Sequence, residues 1–136
     1  MLYLPEIKKR IGDKKMLSAN LEFNGNAKEV MDFYASVFGY ELTENDIWFG
    51  ENNQVAHGEF KIYGNTLMFS DVGHEVEPFS GFTLSINLTD EAELRDRFEK
   101  MSVDAQILMP IGKVEWSECY GLLKDKFGVT WQFNLD

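Results

Sequence analysis

The sequence predicts an α+β fold of two tandem β-α-β-β-β units, whose strands form a cup-shaped mixed sheet with the helices outside. Three observations predict it. Two segments of helical apolar spacing lie 64 residues apart, a short alternating strand precedes each, and each half closes on a matching strand that opens with glycine. Self-similarity at a fixed period is the mark of a repeated structural unit.

The elements follow in order. Met16 opens the first strand, in which Ala19, Leu21 and Phe23 alternate with polar residues, the pattern of a half-buried strand. Asn24-Gly25-Asn26 reads as a turn able to cap a helix. Ala27, Val30, Met31, Tyr34, Val37 and Phe38 then recur at helical spacing, and Gly39 is a natural C-terminal stop. Thr89-Asp90 caps the second helix. Val30 matches Leu94, Tyr34 matches Phe98 and Val37 matches Met101, each 64 apart. Leu84, Ile86 and Leu88 match the first strand at an offset of 65, because the first strand-to-helix loop is one residue longer. Gly64–Phe69 matches Gly128–Phe133, again 64 apart, with each glycine in a turn. Each half leaves room for two more strands, about Glu41–Trp48 and Gln54–Tyr63, then about Ala105–Met109 and Glu115–Lys124.

Strand parity assigns faces. Leu21, Phe23, Leu84, Ile86 and Leu88 pack under the helices. Ser18, Asn20, Glu22, Thr83, Ser85 and Asn87 face the cup. Polar residues on a concave surface suggest a pocket, although a solvent-exposed sheet face has the same pattern.

At 136 residues the chain fits one domain, taken as 17–136 with halves of about 17–73 and 80–136. A basic leader, 1–16, precedes it and holds five of the 13 basic residues: Lys8, Lys9, Arg10, Lys14 and Lys15. The net charge of −10 argues against a nucleic-acid surface; it fits solubility and suits a cationic ligand. Aromatic residues make up 14% of the chain, enough for a dense core or for a lined pocket. Cys119 is the single cysteine, so no internal disulfide can form. No apolar run approaches the roughly 18 residues of a membrane span, and Met1–Lys15 lacks the apolar stretch of a signal peptide. A cytoplasmic location is the default expectation.

FNGNAKEVMDFYASVFG, VAHGEFKIYGNTLMFSD and YGLLKDKFGVTWQF, within residues 17–136, carry a resemblance to the vicinal oxygen chelate superfamily of glyoxalases, bleomycin-resistance proteins and extradiol dioxygenases. The chain is most similar to its PhnB-like branch, often labelled with a demethylubiquinone methyltransferase name. Lys126 stands where that branch often has proline. The resemblance implies that metal-using members place ligands at positions equivalent to Ser18, Met68, Thr83 and Gln132, with Asn20 or Glu22 the alternatives at the first. Ser, Met, Thr and Gln are poor ligands for a divalent first-row metal, so no metal and no other cofactor are expected. The resemblance also implies a homodimer, the commonest soluble assembly.

The individual residues leave alternatives open. His57 and Glu59 share one strand face and could form an acid/base pair, or a cross-strand hydrogen bond; the branch commonly has His at this position. Trp116 and Tyr120, read as four apart on one strand, could wall a pocket or fill the core. Cys119 has the opposite parity and reads as a small buried hydrophobe. His74 lies in linker composition and reads as exposed. Trp48-Phe49-Gly50 in the polar stretch Glu44–Asn53 could form a lid, a subunit contact or a sheet-edge contact. The glycines form no phosphate-binding pattern.

The candidate site is therefore His57, Glu59 and Tyr120 as catalytic residues, with Asn20, Glu22, Met68, Ser85, Asn87, Trp116 and Gln132 as ligand-binding residues. The expected partner is a small molecule, with no nucleic acid and no membrane. Three functions compete: a non-catalytic binder in the manner of bleomycin-resistance proteins, an enzyme using His57 and Glu59 or a relocated metal, and a structural or regulatory domain. A methyltransferase would need a Gly-rich strand-to-helix cofactor loop, and the sequence has none.

Overall fold

The computed structural model describes residues 15–136. The expected leader, 1–16, falls almost wholly outside them. The chain divides after Val76 into two compact units, each with the order β-α-β-β-β.

The first unit contains β1 (Asn20–Phe23), α1 (Ala27–Phe38), β2 (Ile47–Phe49), β3 (Val55–Ile62) and β4 (Asn65–Asp71). The second contains β5 (Leu84–Leu88), α2 (Glu91–Met101), β6 (Gln106–Val114), β7 (Ser117–Lys124) and β8 (Thr130–Leu135). The sheets are ordered β1-β4-β3-β2 and β5-β8-β7-β6. In each, the first and last strands run parallel and the remaining pairs antiparallel. No helix among the described residues is long and apolar enough to cross a membrane.

Register makes the duplication concrete. Gly58 faces Phe69 across β3 and β4, and Gly121 faces Phe133 across β7 and β8. The other pairs follow: Glu59 with Met68 corresponds to Leu122 with Gln132. Asn20 with Met68 corresponds to Ser85 with Gln132. By the same register, His57 corresponds to Tyr120.

Each helix covers one sheet face. Val30, Met31, Tyr34 and Val37 of α1 are buried with Leu21, Phe23, Phe60 and Phe69. Leu94, Phe98 and Met101 of α2 are buried, as are Ile86, Leu123, Trp131 and Phe133. Fully burying such side chains contributes about 1.5–3 kcal/mol each. Aromatic contacts add to both cores. Phe60 stacks on Phe69 at 5.6 Å, and Phe98 meets Phe133 edge-on at 5.4 Å.

The close approach of helix to sheet explains two glycines. A Cβ on Gly58 would lie 2.4 Å from Met31 Sδ, and one on Gly121 would lie 2.6 Å from Phe98 Cε2. The holes are equivalent, but they are filled from non-equivalent helix positions, since Phe98 matches Tyr34 in the repeat.

Several expected boundaries shift. β1 begins at Asn20, so Ser18 precedes it; likewise Thr83 precedes β5. Glu41–Asp46 is not strand. Thr43 and Asp46 form a capping box, and the Asp46 carboxylate accepts from Thr43 N at 2.9 Å and Tyr40 Oη at 3.2 Å. Trp48 and Phe49 belong to β2 rather than to a loop. β6 runs on through Pro110 to Val114, past the expected Met109. Pro is tolerated there because β6 is an edge strand with register breaks. β7 starts at Ser117, which puts Trp116 in the preceding turn and not on the strand.

Candidate functional site

The sheet faces turned away from the helices carry the candidate residues. In the first unit these are Asn20 and Glu22 on β1, Met68 on β4, and His57 and Glu59 on β3. Asn20 faces Met68, and Met68 faces Glu59, so the three form one row across three strands. His57 Nε2 lies 3.5 Å from Glu59 Oε1, and both side chains are nearly buried, at 11% and 12% exposure. Trp48 faces His57 across β2 and β3, and their rings are 5.5 Å apart. Trp48 walls the imidazole, a contact that depends on cross-strand register and that the sequence reading missed. At the hairpin end of this sheet a cleft of about 440 Å³ is lined by Ser18, Tyr40, Glu59, Lys61 and Thr66, among others.

The equivalent face of the second unit is chemically different. Ser85 faces Gln132, and Asn87 faces Asn134, which in turn faces Tyr120. Tyr120 Oη donates to Gln132 Oε1 at 2.7 Å, and Asn87 Nδ2 donates to Ser85 Oγ at 3.3 Å. Trp116 is 62% exposed, yet its ring meets Tyr120 edge-on at 5.1 Å. Trp116 was expected on the same strand face as Tyr120, but it reaches the tyrosine from a turn. A depression of about 330 Å³ beside Trp116 is lined by Glu115, Glu118 and Leu135 among others.

The structure therefore gathers the candidates into two groups, one per unit. His57, Glu59, Asn20, Glu22 and Met68 belong to the first, and Tyr120, Gln132, Trp116, Ser85 and Asn87 to the second.

The donor set can be tested against the metal that the superfamily implies. Cross-strand register puts Asn20, not Ser18, beside Met68, and Ser85, not Thr83, beside Gln132. These supply amides, a thioether and a hydroxyl, which do not fit a divalent first-row metal. Among the described residues no group of three or more His, Cys, Asp or Glu could hold a metal ion.

Other titratable groups are structural. Burial pushes the Cys119 thiol up, against a partly opposing pull from Arg95. Asp71 was not singled out from sequence, yet its Oδ1 accepts from Gly25 N and Ala27 N, and its Oδ2 from Val55 N. It caps α1 in place of Asn26, whose own side chain makes no cap bond. In the second unit Asp125 holds the turn before β8, accepting from Phe127 N, Val129 N and Trp131 Nε1. The Asp-x-x-Gly spacing of Asp125–Gly128 is a turn signal that would have found it. His74 is exposed, with Nδ1 2.9 Å from Glu75 O.

Comparison with known proteins places this geometry. A family model described as 3-demethylubiquinone-9 3-methyltransferase matches residues 15–134. Protein YjdN of Escherichia coli (strain K12) is 28% identical over 139 residues, covering 88% of this chain and 94% of YjdN. The PhnB protein from Bacillus cereus has a TM-score of 0.77 and 32% identity, over 90% of this chain and 100% of its own. A glyoxylase/bleomycin resistance protein/dioxygenase domain from Frankia sp. EAN1pec has a TM-score of 0.63 at 10% identity, over 92% of this chain and 98% of that one, a likeness of fold alone. The chain therefore belongs to the family that carries this methyltransferase description, and it is PhnB-like.

Proposed function

We propose that the chain binds a small, flat, cationic molecule on its polar sheet faces, without a metal centre, and works as a homodimer. The observation that carries the reading is the pairing of aromatic walls with acidic or neutral polar groups on those faces. Trp48 lies against His57, with Glu59 beside it. Trp116 meets the ring of Tyr120, whose hydroxyl donates to Gln132. Aromatic faces and carboxylates favour a cation, and the net charge of −10 would draw one in. The family's methyltransferase description finds no support in the chain, which has no Gly-rich cofactor loop.

The test is thermal melting with a panel of planar aromatic cations, ethidium among them, and their neutral analogues. A ligand at 100-fold its Kd stabilises by about 2.7 kcal/mol, which raises the melting temperature by several degrees. Cations should shift it, neutral analogues should not, and Trp116→Ala should reduce the shift. Equal melting with every compound, or an equal shift by neutral analogues, overturns the cationic reading.

One observation favours a second reading. The 3.5 Å spacing of His57 Nε2 and Glu59 Oε1 suits an acid/base pair. In that case a bound compound would turn over, and His57→Ala would abolish turnover while leaving the fold intact.

A further inference from the structure

Asn134 lies on β8 two residues after Gln132, so both side chains leave the same face of the second sheet. Its Oδ1 is buried and accepts no hydrogen bond among the described residues. Most buried polar atoms in folded proteins are hydrogen-bonded, so an exception calls for a physical reason. The orientation of the amide is set. Asn134 Nδ2 donates to Asp136 Oδ1 at 3.2 Å, and a carboxylate only accepts. The nitrogen is therefore held toward Asp136 and the oxygen away from it.

The neighbouring side chains direct their hydrogens elsewhere. Asn134 pairs in register with Tyr120 on one side and with Asn87 on the other. Tyr120 Oη gives its single hydrogen to Gln132 Oε1 at 2.7 Å. Asn87 Nδ2 donates to Ser85 Oγ at 3.3 Å. The surroundings say which charge a donor from outside should carry. Asp136, bonded to Asn134, also lines the depression of about 330 Å³ beside Trp116, as do Glu115 and Glu118. Lys113, in the same lining, lies 3.6 Å from Glu118 Oε1, so negative charge remains in excess.

We infer that Asn134 selects, among cations, those that carry an N–H bond: its Oδ1 accepts a hydrogen bond from a ligand amidinium or guanidinium group, with Asp136 supplying the counter-charge and Trp116 the aromatic face. The inference rests on the cation binding proposed above and narrows it from planar cations in general to planar N–H donors. A fully N-alkylated cation brings the same charge but leaves Oδ1 unmet. An N–H cation satisfies it, and a hydrogen bond to a charged partner in a shielded place is among the strong ones. Because Oδ1 is shielded, a side chain on this face gives way as the ligand enters. Asn87 and Trp116 are exposed and able to do so, whereas Tyr120 is buried and bonded to Gln132.

The test is calorimetric titration of the full chain with benzamidinium and with its N,N,N′,N′-tetramethyl derivative, equal in charge but without an N–H. The native chain should prefer benzamidinium by about tenfold or more. Asn134→Leu removes the acceptor and should bring the two affinities together, chiefly by weakening benzamidinium. Asp136→Asn lets the amide turn over, since an asparagine side chain both donates and accepts, and should shrink the preference. Asp136 is exposed, so this second variant keeps the test valid should Asn134→Leu fail to fold. Equal affinities in the native chain, or a preference that both substitutions leave intact, overturn this inference and leave the cationic reading standing. No binding of benzamidinium also overturns it; if no planar cation shifts the melting temperature either, the cationic reading falls with it.

Discussion

The two halves share a backbone plan but not a surface. At equivalent register positions the first half has His57, Glu59 and Met68 where the second has Tyr120, Leu122 and Gln132. Likewise Asn20 and Glu22 stand where the second half has Ser85 and Asn87. The first face holds a histidine beside a carboxylate. The second is set by neutral hydrogen bonds and an exposed tryptophan. Duplication has kept what the fold needs, the helix-facing apolar set and the glycines beneath the helices. It has let the outward faces diverge. The two faces thus offer two different chemistries on one backbone plan.

Three experiments sharpen this comparison. The largest effect is expected at the carboxylates that tie each half together. Asp125→Ala removes three acceptor contacts and strands the buried Trp131 Nε1. It should cost about 3 kcal/mol in urea unfolding. Asp71→Ala removes three backbone contacts in a less buried place and should cost about 2 kcal/mol. The reverse order would show that the first half depends more on its cap than the second on its turn.

The paired glycines come next. Gly121→Ala drives a methyl into the stiff ring of Phe98, whereas Gly58→Ala meets the flexible end of Met31. We expect losses of about 2 and about 1 kcal/mol, within the usual range for overpacking. Equal losses would mean that the holes are equivalent in energy as well as in position.

The smallest effect is expected at Tyr120. Tyr120→Phe removes the bond to Gln132 and should cost about 1 kcal/mol, read from the urea midpoint. A neutral result would mean that solvent replaces the bond, so the second face is wetter than its burial suggests.

Much of the fold was legible before the structure. The helical spacing of Val30, Tyr34 and Val37 and its recurrence at Leu94, Phe98 and Met101 located both helices. The alternation in each first strand assigned its faces, because a side chain's face in a strand depends only on parity. The middle strands were harder to read. Glu41–Asp46 looked like strand, but its polar groups are satisfied locally by a capping box, and nothing in the alternation reveals that competition. The strand expected to end near Met109 runs on through Pro110 to Val114, which an edge strand tolerates.

The candidate site was legible in the same uneven way. The His57–Glu59 pair follows from parity alone. Trp116 was expected on the strand face of Tyr120, but it lies in a turn and reaches the tyrosine from there. Trp48 beside His57 could not be read at all, because cross-strand neighbours depend on register.

By itself, then, the sequence determined the duplication, the two helices, the apolar faces and the poor metal-ligand chemistry. These depend on periodicity and residue type, which are local properties of the chain. Only the tertiary structure decided that Asp71 caps a helix 44 residues away. It alone placed Asn20 and Ser85 in the rows of Met68 and Gln132, and left β6 as a long bare edge. Those features depend on which strand lies beside which, and pairing between distant segments is fixed by the packing of the whole unit and not by any one stretch of it.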